Sequence, residues 1–335
     1  MKNLFPILSI ALLFSAGHFY GIDDELESET TLSEKKHLKE VAVLEPSIMI
    51  QQPIPKEDID LSPLTVTPRR KSSFLAVSLS GLVPGLGHAY LGDYQTAGIL
   101  FGSSSLFSGL GSSNLINEDF QGSNFLAMQN TWFYGIYAAY RDVRAYNGEE
   151  GYSYQMPTDS FTDLAVAPFQ WSVLKKPEVW GGFLGALGLG IGFGYLSEKV
   201  ESHVRLSSSS ATFPLLAFPV GIGEESFFRG FLQSRLSETF SPWGGIVLSS
   251  LAFGAMHIPN ASLMEPEERW RYYSFGIPLI TSAGLYFGWL TYKNRSLKES
   301  VALHAWYDFA VFLISYSAAQ SAAIRKPSFS ISIPF

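Results

Sequence analysis

Glu224-Glu225-Ser-Phe-Phe-Arg229 lies within an apolar stretch running from about 211 to 234, and two further sets follow it in similar surroundings. Phe253-Gly-Ala-Met-His257 falls within about 243–258, and His304-Ala-Trp-Tyr-Asp308 within about 300–318. A fourth apolar span, about 273–291, lies between them. Each span is long enough for, or close to, the apolar thickness of a bilayer. In lipid every backbone polar group must be satisfied inside its own segment, so these runs predict helices. Ionisable groups at such depth are costly and mark either function or compensated pairs. Here two Glu, one Arg, two His and one Asp share one region.

Composition points the same way. Of 335 residues, 47% are apolar and only 16% charged, where a soluble domain has about a quarter charged. With the earlier apolar segments included, the expected fold is an all-α polytopic membrane helix bundle of roughly seven or eight membrane helices. The net charge of −7 sits largely in Asp23-Asp24-Glu25-Leu-Glu27-Ser-Glu29. No basic stripe offers a nucleic-acid surface, so that class of partner is set aside. The absence of cysteine excludes disulfides, thiolate metal ligands and a Cys nucleophile.

Working outward, residues 1–21 have a Lys, an apolar run and then small residues, the layout of a signal peptide or an N-terminal anchor. Residues 22–72, acidic and then Pro-rich, read as a disordered tether. Residues 73–145 are expected to form membrane helices with a Gly/Pro-rich hairpin around Gly81-Leu-Val-Pro84-Gly-Leu-Gly-His88, in which His88 is a packing residue. Residues 146–178 read as a polar loop, 179–320 as the domain holding the three sets, and 321–335 as a tail. The glycines from Gly181 to Gly194 have the small-residue spacing of close helix contact. No strand precedes them and the phosphate-loop pattern is missing, which argues against a nucleotide site.

The spacing assigns chemistry. Glu225 and Arg229 stand four apart on one helix face, acid first, as a favourable pair requires. Glu224 is turned by about 100° from Glu225 and is left to face a cavity. An apolar cavity suits such a carboxylate for general-base work near neutral pH. His257 ends its span just before Ile258-Pro259-Asn260, where a polar pocket can reach it. His304 and Asp308 again share a face; Asp308 orients His304, or both contact substrate. Phe253 is expected to pack. A Glu beside two imidazoles can hold and deprotonate water, with a metal or without one. Zinc held by Glu224, His257 and His304 is one reading; the compact His-Glu-x-x-His helix motif is absent, and a metal-free site is the other.

In order and spacing, the three sets resemble the CPBP intramembrane proteases, which include CAAX-prenyl endopeptidases and bacteriocin-processing relatives. The run Gly284-Leu-Tyr-Phe-Gly288-Trp-Leu-Thr-Tyr-Lys293 into Val301-Ala-Leu-His304 is similar as well. The resemblance covers about residues 175–320. It implies an intramembrane endopeptidase in which Glu224, assisted by His257, activates water. His304 and Asp308 would stabilise the oxyanion or hold substrate, with Glu225 and Arg229 structural or electrostatic. The family's third motif often ends in Asn, and an ionised Asp308 is a poor oxyanion partner. The expected partners are a peptide or protein segment and the lipid bilayer, and the expected location is a bacterial cell membrane. The rival class is a proton-linked transporter or scaffold, since acid–histidine chains also relay protons. Transporters of this size often show two similar halves, and these halves differ.

Overall fold

The structure, a computed structural model, describes residues 69–114, 116, 118–149, 155–196, 213–264 and 266–324. The expected leader, the tether up to residue 68 and the tail beyond 324 lie outside the described residues. By contacts the chain divides into residues 1–69 and 70–335; the second unit holds every element below.

Among the described residues there is no strand. The helices are α1 Ser73–Leu82, α2 Leu86–Leu91, α3 Tyr94–Gly111, α4 Glu118–Tyr146, α5 Phe161–Val166, α6 Trp171–Leu174 and α7 Pro177–Leu196. There follow α8 Ala217–Glu225, α9 Ser234–Thr239, α10 Pro242–Met256, α11 Pro266–Arg271, α12 Ile277–Asn294 and α13 Lys298–Ile324. A π-helical stretch, Ser226–Gln233, joins α8 to α9 without a break.

The all-helical architecture agrees with the sequence reading; the count of seven or eight membrane helices does not follow from it. No helix among the described residues is long and apolar enough to cross a membrane. Two of the apolar runs do not form a single uniform α-helix of spanning length. The stretch at 211–234 becomes a 3-10 turn at Phe213–Leu216, then α8, then the π segment. The stretch at 243–258 is the 15-residue α10. The 29-residue α4 carries Glu118, Asp119, Arg141, Asp142 and Arg144.

Local signals explain the boundaries. Ser72, Asp93 and Ser241 cap α1, α3 and α10 by accepting the N–H of Leu75, Thr96 and Gly244. Gly85 adopts φ 91°, and a Cβ there would meet the Ala97 carbonyl at 2.3 Å. Only glycine therefore closes this turn. Its neighbour His88 is fully buried, with Nε2 3.2 Å from Asp142 Oδ2 on α4.

Residues 146–178, expected as a loop between halves, hold α5, α6 and the start of α7. Ser160 and Asp163 form a reciprocal capping box that starts α5. Bonds from Ser160 and the Lys298 ammonium hold the Asp163 carboxyl well below the usual carboxylate range. Asp159 accepts from Ser296 Oγ at 3.0 Å and Leu297 N–H at 2.8 Å, capping the start of α13. Trp306 of α13 donates to the Pro168 carbonyl at 2.7 Å, and Lys176 pairs with Glu299 at 2.5 Å. This segment thus braces the helix that carries His304 and Asp308.

The centre of the bundle is α8 with its π continuation, packed by α4 and α13, while α10 packs along α12. Two of the core clusters lie around this centre. Tyr137, Leu164, Ile222, Leu297 and Val301 fill one, and Phe133, Phe227, Phe228, Phe253 and Ile280 the other. The α4–α8 crossing is close because Gly223 has no side chain: a Cβ there would lie 2.6 Å from the Cα of Asn130. Gly181 of α7 faces open space, with nothing within 4 Å. Gly223→Ala is therefore expected to destabilise by about 1–3 kcal/mol through overpacking, with Gly181→Ala close to neutral. Thermal unfolding in detergent compares the two, and equal midpoints would contradict the packing assigned to Gly223.

Candidate active site

The site is built around one carboxylate oxygen. Glu225 Oε1, at the end of α8, accepts from Arg229 Nη1 at 3.0 Å and from His304 Nδ1 at 2.8 Å. All three side chains are buried. A charge in such surroundings is stable only when paired and hydrogen-bonded, and here one acid serves two nitrogen groups. Arg229 Nη2 also donates to the Gly284 carbonyl at 3.2 Å. Its guanidinium lies 4.3 Å over the ring of Phe253 and 5.3 Å from that of Phe287, a cation–π cradle.

The π-helical turn belongs to this arrangement. Widened turns of this kind recur at functional sites. Four residues beyond Arg229, Gln233 donates to the Gly288 carbonyl at 3.0 Å. Two side chains four apart thus meet two glycine carbonyls four apart on α12. A Cβ at Gly284 would approach Arg229 Nη2 to 3.2 Å, and one at Gly288 would approach Gln233 Oε1 to 2.6 Å.

On the far side of His304, Nε2 faces Asp308 Oδ2 at 3.3 Å and Glu224 Oε2 at 3.9 Å. The imidazole stacks on Phe287, with centroids 5.1 Å apart and planes at 18°. His257 occupies the C-cap of α10 and its Nδ1 lies 2.8 Å from the Phe253 carbonyl. A carbonyl oxygen only accepts, so Nδ1 carries the hydrogen and the neutral ring keeps its lone pair on Nε2. Glu224, His257, His304 and Asp308 line one cavity of about 280 Å³, together with Asn260 and Tyr307. Leu126, Phe213, Leu279, Ile280 and Phe312 supply apolar walls.

All four expected catalytic residues therefore meet at one cavity, and the expected supporting residues Glu225 and Arg229 pair behind it. Phe253 does more than pack: its ring carries Arg229 and its carbonyl orients His257. Sequence reasoning missed the bond between His304 and Glu225, which joins residues 79 apart in the chain. It also missed Gln233, Gly284 and Gly288 as a docking set. The signal was present in the matching four-residue spacings of Arg229/Gln233 and Gly284/Gly288.

Glu224, His257 and His304, the set read as a zinc site, line the same cavity. Among the described residues no three His, Asp or Glu groups are placed to hold a metal ion. His304 turns both ring nitrogens to carboxylates, and His257 holds its Nδ1 against the Phe253 carbonyl. No catalytic step is routed through a metal here.

Residues 206–310 match the family model of the type II CAAX prenyl endopeptidases, Rce1-like. This Rce1-like segment contains all three residue sets, from Glu224 to Asp308, and agrees with the CPBP resemblance read from them. Residues 1–205 and 311–335 lie outside the match. No curated protein and no solved structure matches the chain.

Because Glu225 compensates both Arg229 and His304, Glu225→Ala strands a buried guanidinium and an imidazole together. The expected loss is about 3–5 kcal/mol of stability, read as a lowered unfolding midpoint in detergent. An unchanged midpoint would remove Glu225 from its structural role.

Proposed function

We propose that this protein is an intramembrane endopeptidase that hydrolyses a peptide bond with water activated by Glu224 and His257. The observation that carries the reading is that the Glu224 carboxylate and the open Nε2 of His257, both within the Rce1-like segment, face one cavity. Glu225 and Arg229 neutralise each other behind the cavity, so the Arg229 charge is not spent on Glu224.

In this scheme water lies between Glu224 and His257. Its oxygen attacks the carbonyl carbon while one of its protons passes to the Glu224 carboxylate. The carbonyl electron pair moves to oxygen, giving a tetrahedral intermediate. Collapse breaks the carbon–nitrogen bond, and Glu224 returns the proton to the leaving amine nitrogen. A carboxylic acid and an amine leave, and the enzyme is restored. His304, tied to Glu225 and Asp308, positions the acidic wall without itself being consumed.

The protease family supports a peptide or protein substrate, and the apolar walls suit a segment with apolar side chains. Integral membrane placement agrees with the large apolar groups left exposed, among them Ile99, Leu106, Leu184, Leu189 and Leu251.

Glu224→Gln keeps size and hydrogen bonding but removes the base. Hydrolysis of a fluorogenic peptide by purified protein is expected to fall by roughly 100-fold or more, with folding retained. Parental activity in this variant would sink the assignment. Exhaustive chelation is expected to leave the parental rate unchanged; loss of activity with stoichiometric zinc, restored on adding it back, would instead favour the metal site.

A further inference from the structure

A tetrahedral intermediate needs hydrogen-bond donors aimed at its oxyanion. The cavity is poor in them. Of its polar side chains, Glu224 and Asp308 are carboxylates, and His304 has both ring nitrogens turned to carboxylates. His257 spends Nδ1 on the Phe253 carbonyl, and its Nε2 is assigned to the attacking water. Asp308, where an amide would serve, accepts hydrogen bonds when ionised and adds charge of the same sign as the oxyanion. Among the described residues, Asn260 and Tyr307 are left.

Asn260 is the better placed of the two. It stands in the 3-10 turn Ile258–Leu263 directly after His257 and is half-buried at the cavity wall. Its backbone N–H donates to the His257 carbonyl at 3.0 Å. The same carbonyl accepts the Tyr272 hydroxyl at 3.0 Å, and Tyr272 also hydrogen-bonds the Asn260 side chain. His257, Asn260 and the buried Tyr272 are one hydrogen-bonded unit. The amide is therefore oriented relative to the imidazole before substrate arrives. Such preorganisation is what gives an oxyanion donor its effect. Tyr307 brings a hydroxyl whose hydrogen turns about its bond, with no comparable fixed frame.

Resting on the endopeptidase reading above, we infer that Asn260 is a catalytic residue whose side-chain amide donates to the carbonyl oxygen of the scissile bond, in the place that Asp308 does not fill. As the carbon–oxygen pair moves onto oxygen, the Asn260 hydrogen bond shortens and strengthens; no proton is transferred to or from it. Tyr272 is a positioning residue that acts through Asn260.

The test uses the full-length protein in detergent and a peptide that it cleaves. Asn260→Ala is expected to lower kcat by about 100-fold with KM little changed. The affinity of a phosphinate analogue of that peptide, which mimics the tetrahedral state, should fall by a similar factor. The affinity of the uncleaved peptide, measured in the Glu224→Gln background, should stay constant. A folded Asn260→Ala enzyme with parental kcat, or one that loses only KM, overturns the inference. Should the Ala variant fail to fold, the near-isosteric Asn260→Asp decides the matter: a folded protein with kcat lost supports the donor role, and parental kcat removes it. Glu224→Gln separates the two ideas. If that variant is inactive while both Asn260 variants are fully active, the donor assignment alone fails; if Glu224→Gln itself is fully active, the endopeptidase mechanism beneath it fails.

Discussion

One carboxylate oxygen holds the interior of this protein together. Glu225 Oε1 receives a guanidinium from its own helix and an imidazole from α13, and all three side chains are buried. Buried ions are worth little to stability against a well-packed apolar core, but removing one partner of a set is severe. The set therefore behaves as a specification rather than a reserve of energy. It states which face of α8 meets α13 and at what height, and the cavity residues are arranged by that decision. Glu224 reaches the cavity because its neighbour is committed elsewhere.

How far the sequence discloses this depends on how far apart the partners are. Glu225 and Arg229 are one helical turn apart, so their pairing follows from helix geometry alone. The same holds for His304 and Asp308. The bond between Glu225 and His304 spans most of the matched segment and belongs to tertiary structure, which periodicity cannot reach. The number of membrane helices does not follow from the apolar runs for a related reason. The length of the apolar run at 211–234 does not show that residues 213–233 pass through 3-10, α and π geometry in turn. The Ser160-x-x-Asp163 box was a legible start signal inside a segment whose composition otherwise reads as loop.

That braced segment also bears on where the working domain begins. The family match starts at residue 206, yet α13 is capped by Asp159, held by Pro168 through Trp306 and tied to Lys176 through Glu299. Phe169 adds ring contacts to Phe218 and Trp306. On α4, Leu126 lines the cavity and Asn130 meets Gly223 beside Glu224. The chemistry-bearing residues fall inside the match, while part of their support comes from before it.

The docking of Arg229 and Gln233 onto Gly284 and Gly288 has a further meaning for how this sequence can vary. What α12 presents there is main chain, two carbonyl oxygens bared by the lack of a side chain. Every residue has that oxygen; only glycine leaves it approachable. Recognition is thus written in an omission, and it places no chemical demand on Leu285 or Tyr286 between the two contacts. Phe287 is free to stack on His304 and Tyr286 to reach the Glu178 carbonyl. A single helix can in this way grip its neighbour through its backbone while side chains between the grips, such as Tyr286, serve another part of the molecule.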